Sequence, residues 1–122
     1  MKKVVGLVEP VKIIGKNKSI RVMAKFDTGA SGNSIDKKLA TRLNLTPKSV
    51  VRIKNASVRK PRKRPVVSLI LQIGKKKFKT RASVEDRRNM KYKFLIGRRI
   101  IHSNFIIDVA KSHKSYKEEA LK

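Results

Sequence analysis

The chain contains no cysteine, which excludes disulfides, thiolate metal sites and a cysteine nucleophile, and fits a reducing compartment. Tryptophan is absent and aromatic residues make up only 5% of the sequence. Phe26, Phe78, Phe94 and Phe105 all sit in apolar runs, where a core accounts for them, so base stacking of the kind single-strand binders use is poorly supported. No apolar run approaches the roughly 20 residues of a membrane span. The opening Met1-Lys2-Lys3-Val4-Val5-Gly6 breaks too soon for a signal peptide, and a cytoplasmic location is the expectation. Acidic residues are also few. Eight Asp and Glu face 33 Lys and Arg, a formal net charge of +25 over 122 residues.

Self-repulsion on that scale opposes compaction, because charges closer than a Debye length of about 8 Å still feel one another at physiological ionic strength. A persistent polyanionic partner is therefore expected. Hydrophobic residues reach 39%, so the chain can still build a modest core and does not read as disordered.

Short β-branched runs at 3–8 and 11–14, around Glu9-Pro10, and the partly alternating Ile20–Phe26 predict three strands before residue 28. The period then changes. Ile35, Leu39, Ala40 and Leu43 share one helical face, which predicts a helix from Ser34 to Leu45 with Ser34 as cap and Asp36 in the first turn. Further strands are expected at Ser49–Ile53, Val66–Ile73 and Phe78–Val84, the last two joined through Gly74-Lys75-Lys76-Lys77, and at Tyr92–Ile96 and Phe105–Val109, with a helical turn after Gly97. Residues 1–110 read as one mainly β domain and 111–122 as a polar tail.

The sharpest local signal is Phe26-Asp27-Thr28-Gly29-Ala30, a strand that ends in Asp followed by Thr-Gly, with Phe94-Leu95-Ile96-Gly97-Arg98 some seventy residues later. These stretches resemble the retropepsin-like aspartic protease fold. With Arg64-Pro65-Val66-Val67, Arg87 to Met90 and Phe105-Ile106-Ile107-Asp108, the likeness extends over about residues 4–110 to the ATP-dependent zinc protease family of retropepsin-like domains. The resemblance implies a small closed β-barrel with one or two short helices. It also implies that Asp27 is the acid, that Thr28 braces paired loops, that Gly29 allows the tight turn, and that the amide of Gly97 or its neighbours supports the loop from below.

Such chemistry needs two carboxylates close enough to share a proton, one activating water while the other donates a hydrogen bond to the substrate carbonyl. One Asp-Thr-Gly is present, so a working peptidase requires two copies meeting across a twofold axis. Three features oppose it. Ser31 stands where viral enzymes of this fold place an acid that pairs with the Arg of the second motif, so Arg98 lacks its expected partner. The segment 58–65, at the place of the flap, carries two prolines and five cations. Two chains of this charge also repel on docking. The alternative role for Asp27 is to brace its own turn through backbone hydrogen bonds, and Asp108 reads as a strand-end acid.

The basic residues form a second constellation. Arg59, Lys60, Arg62, Lys63 and Arg64 place five cations in six positions; Lys75, Lys76, Lys77, Lys79 and Arg81 follow; Arg87, Arg88, Lys91, Lys93, Arg98 and Arg99 make a third group. Between residues 59 and 99 only Glu85 and Asp86 oppose them. Counterion release favours multiple phosphate contacts, and the paucity of aromatics points to backbone and shape recognition of folded RNA.

His102 and His113 are the only histidines, and no zinc-ligand spacing is present. Gly29-Ala30-Ser31-Gly32 lacks the Lys of a phosphate loop, so neither a metal nor ATP is expected, nor any other cofactor. Two functions of different class fit. One is an RNA-binding scaffold, most naturally in a ribosome beside rRNA and ribosomal proteins, using Arg59, Lys60, Arg62, Lys63, Arg64, Lys75, Lys76, Lys77, Lys79, Arg81, Arg87, Arg88, Arg98 and Arg99. The other is a homodimeric aspartic peptidase with Asp27, Thr28 and Gly29 at its centre. Charge must be compensated continuously and an Asp-Thr-Gly can persist as a turn, so the sequence favours the RNA reading.

Overall fold

A computed structural model describes residues 1–47, 49–53 and 62–111. Among these residues, nine strands and two short helices run in the order β1 (Lys3–Val5), β2 (Val8–Ile14), β3 (Ser19–Phe26), β4 (Asn33–Asp36), α1 (Lys37–Arg42), β5 (Ser49–Ile53), β6 (Arg62–Ile73), β7 (Lys76–Glu85), β8 (Phe94–Ile96), α2 (Arg98–Asn104) and β9 (Phe105–Ile107). The strand order β2-β3-β8-β4-β7-β6, with β2 pairing back onto β6, closes a six-stranded barrel, and β5 adds to the outer edge of β6. β1 and β9 form a separate parallel pair. This is the mainly β barrel with two short helices that the resemblance implied.

The barrel closes because its strands alternate. In β3, Ile20, Val22, Ala24 and Phe26 point inward while Arg21, Met23 and Lys25 point away, the period-2 pattern of a strand with one face in a core. Phe26, Phe94, Ile13, Ile35, Leu39, Leu43, Leu71 and Ile96 are fully buried. Phe26 and Phe105 meet edge to face with centroids 5.4 Å apart, an arrangement aromatic rings prefer.

Three expectations are corrected. The predicted helix is shorter, and its first residues are a strand: Ser34 belongs to β4, which lies between β7 and β8. Asp36 is the N-cap, its carboxylate accepting from the Lys38 and Leu39 amides. The turn between β6 and β7 is only Gly74-Lys75, since Ile73 already pairs with Lys76. Gly74 adopts φ +61°, a conformation glycine enters without penalty. The extended runs around Glu9-Pro10 resolve into β1 and a continuous β2 that carries both residues. Lys111, the first residue of the expected tail, turns back so that its ammonium donates to the Val4 carbonyl.

Candidate active site

Asp27 leaves the end of β3 at the point where that strand lies parallel to β8. Its amide donates to the Ile96 carbonyl at 2.8 Å, and its own carbonyl accepts from Ala30. The carboxylate Oδ1 accepts the Gly29 amide at 2.9 Å. The turn-bracing role and the candidate acid thus coexist in one side chain, half-buried on a loop whose Thr28 and Gly29 are exposed.

Support comes from the second motif. The amides of Arg98 and Arg99 donate to the Ala30 and Ser31 carbonyls at 2.8 and 3.0 Å. Gly97 itself is turned the other way, its amide on Asn33 Oδ1 at 3.0 Å. Only glycine fits there: a Cβ on residue 97 would lie 2.2 Å from the Gly32 carbonyl oxygen. Arg98 does not need the acid missing at Ser31. Its guanidinium donates to the Thr28 carbonyl at 2.9 Å, so the arginine still braces the loop, through backbone.

Asn33 is the organiser that sequence reading passed over. It is 5% exposed, and its amide nitrogen donates to the Arg81 carbonyl and the Thr80 hydroxyl while its oxygen takes the Gly97 amide. One side chain therefore ties β4, β7 and the β8–α2 junction together. In sequence it stands only as a polar residue between Gly32 and Ser34, with nothing local to single it out. Ser83 adds a hydrogen bond to the Asn33 carbonyl.

Asp27 stands on the wall of a groove of about 600 Å³ that also includes Ser31, Ser34, Arg64, Val66, Arg81, Ser83, Glu85, Leu95, Arg98 and Arg99. Four arginines and two acids, Asp27 and Glu85, carry the charge of its wall. Glu85 is bound on both sides, to Arg64 and to Arg87.

Several residues expected to grip RNA are otherwise engaged. Arg87 is 6% exposed and spends its guanidinium on Glu85 and the Tyr92 carbonyl; it closes the loop before β8 and cannot reach a phosphate. Arg64 pairs with Glu85 and Arg98 with the Thr28 loop, both in the groove. Arg88 pairs with Asp86 at the surface. Lys93, from the same cluster, caps the carbonyls of Arg87, Arg88 and Met90. Lys76 bonds to Asn104. Lys63, Lys75, Lys77, Lys79, Arg81 and Arg99 are exposed, Arg62 opens β6 opposite Ile53, and Arg59 and Lys60 lie outside the described residues. Asp108 is exposed, caps the Ala110 amide and does not line the Asp27 groove. His102 is exposed beside Ser103, and no group of three or more His, Cys, Asp or Glu among the described residues could hold a metal ion. No described helix is long and apolar enough to cross a membrane.

Comparison with known proteins agrees with this geometry. A protein of unknown function from Legionella pneumophila is 26% identical, with 95% of this chain and 100% of that one covered and a TM-score of 0.66. A retropepsin-like aspartic protease from Rickettsia conorii is 23% identical over 75% of this chain and 68% of that one, with a TM-score of 0.51. The EIAV protease in complex with an inhibitor is 19% identical over 78% and 84%, with a TM-score of 0.52. No curated protein matches. A family model described as "Retropepsin-like aspartic endopeptidase RimB" matches residues 36–118, more than half of the chain and beginning just after the Asp27 loop. The family name shown is therefore this one, and not that of the ATP-dependent zinc proteases. By fold and by family the chain belongs to the RimB-like retropepsin-like aspartic endopeptidases.

Proposed function

We propose that the protein is an aspartic endopeptidase that works as a twofold pair, with Asp27 of each copy forming the catalytic dyad. The observation that carries this reading is the Asp27-Thr28-Gly29 loop, held from below by the Arg98 and Arg99 amides and clamped by the Arg98 guanidinium, with its carboxylate on the wall of a groove.

In the pair, one carboxylate takes a proton from water while the other, carrying the shared proton, donates a hydrogen bond to the scissile carbonyl. Water oxygen bonds to the carbonyl carbon to give a tetrahedral diol. The amine then leaves with a proton returned from the dyad as the C–N bond breaks. Arg81 and Arg99 on the same wall favour carboxylate side chains flanking the scissile bond.

Membership of the endopeptidase family supports this reading better than the RNA-binding scaffold that composition favoured. Cation excess describes the whole surface; the Asp27 loop describes a site. The test is Asp27→Asn, measured beside the parent by cleavage of a peptide library and by sedimentation. The variant is expected to stay paired and folded while turnover falls by about 10⁴-fold or more, the scale on which loss of a reacting group is read. Unchanged cleavage would overturn the proposal.

A further inference from the structure

The β6–β7 hairpin carries a second feature that catalysis does not use. Cross-strand partners place Lys12, Gln72 and Lys77 in one row, Ile14, Ile70 and Lys79 in the next, and Ser68 with Arg81 in a third, all on the face turned away from the core. Inward neighbours on these strands, Ile13, Leu69, Leu71 and Ile73, are buried, which fixes the outward direction of the others. Along β7, Lys77, Lys79 and Arg81 stand about 6.7 Å apart, and β2 and β7 lie about 10 Å apart across β6. Lys77, Lys79 and Arg81 therefore form a line along β7, and Lys12 stands off that line across the uncharged Gln72 of β6, which spreads the positive charge in a second direction.

Beside it runs a second groove of about 970 Å³, lined by Lys16, Lys79, Arg81 and Arg99 with Thr46 and Ser68 and by the apolar Ile14, Leu45 and Ile70, with no acidic residue on its wall. The sole acid of the hairpin, Glu85, is consumed by Arg64 and Arg87 at the far, catalytic end.

We propose that this face, centred on Lys12, Lys77 and Lys79, binds the phosphate backbone of folded RNA and so holds the endopeptidase on a ribonucleoprotein. The two-dimensional spread matches phosphates presented by a folded duplex, whereas an extended acidic peptide offers one row of carboxylates. Gln72, Ser68 and Thr46 supply neutral hydrogen bonds to phosphate or ribose, and no aromatic side chain lies in these rows for base stacking. Binding is thus sequence-tolerant and salt-dependent. Arg81 and Arg99 border both grooves, but Lys12, Lys77 and Lys79 do not line the Asp27 groove, so the proposal can fail while the peptidase reading stands, and the reverse.

The experiment measures anisotropy of a labelled RNA hairpin against the full chain and two variants of equal charge. One is Lys12→Gln/Lys77→Gln/Lys79→Gln. The other is Lys37→Gln/Lys38→Gln/Lys91→Gln, three exposed lysines elsewhere. The first is expected to bind at least about tenfold more weakly and to lower the slope of log affinity against log salt by about 2, since each lost phosphate contact removes about 0.7–0.9. The second should bind within about threefold of the parent. Cleavage of a short neutral peptide should not change in either. Equal weakening in both variants would show a diffuse cationic surface and overturn the assignment. So would poly-aspartate binding to this face in place of the hairpin, which would identify an acidic protein partner.

Discussion

Asn33 carries more of the second motif beneath the Asp27 loop than its size suggests. A buried amide with two donated bonds and one accepted bond is saturated in this setting, and truncation strands the Gly97 N–H and the Arg81 carbonyl without water to replace it. Asn33→Ala should therefore cost about 3 kcal/mol of stability, read from urea unfolding, one to three for each orphaned group being the usual range. Peptide cleavage should fall further than the unfolded fraction explains, because the groove wall and the second motif lose their common tie. The residue was not legible beforehand: an isolated Asn before a strand looks like any turn residue until the chain brings Gly97 to it. Asp27, Thr28 and Gly29 were legible because a strand followed by Asp-Thr-Gly is a local pattern. The partner of Arg98 was not, since it is a carbonyl, which no side-chain motif reveals.

Among the elements, long alternating strands could be read and junctions could not. β3 and β5 fall where alternation and β-branched content placed them, at Ser19–Phe26 and Ser49–Ile53. β4 was absorbed into the helix because Ile35 also fits a helical face; its strand character comes from parallel pairing with β7 and antiparallel pairing with β8, both distant in sequence. Asp36 secures that junction. Its Oδ2 caps α1 while its Oδ1 accepts the Arg87 amide at 2.7 Å, linking the helix start to the end of β7. Asp36→Ala should cost about 2–3 kcal/mol, a cap of about 1 kcal/mol together with a buried N–H left open. The thermal midpoint should drop accordingly, and Asp36→Asn should recover part of the loss because its amide oxygen can still cap.

For the whole molecule the decisive balance is between like charge and apolar contact. Each copy carries +25, so pairing is opposed at low salt and eased as screening rises. The exposed apolar residues include Val4 and Ile106, direct neighbours in the β1–β9 pair, and Val109 follows close behind. This is the apolar surface available for a second copy to cover. Ile106→Asp places a carboxylate in that contact without adding positive charge. It should shift sedimentation toward the single chain and lower cleavage in proportion, leaving the unfolding midpoint of the single chain within about 0.5 kcal/mol of the parent.

The most direct measurement mixes subunits. Parent and Asp27→Asn chains are combined in equal amounts, allowed to exchange partners, and assayed at constant total protein. If each site needs Asp27 from both copies, only parent pairs cleave, and activity falls to about one quarter of that of the undiluted parent. A value near one half, the dilution expected of chains that act alone, would contradict the shared dyad.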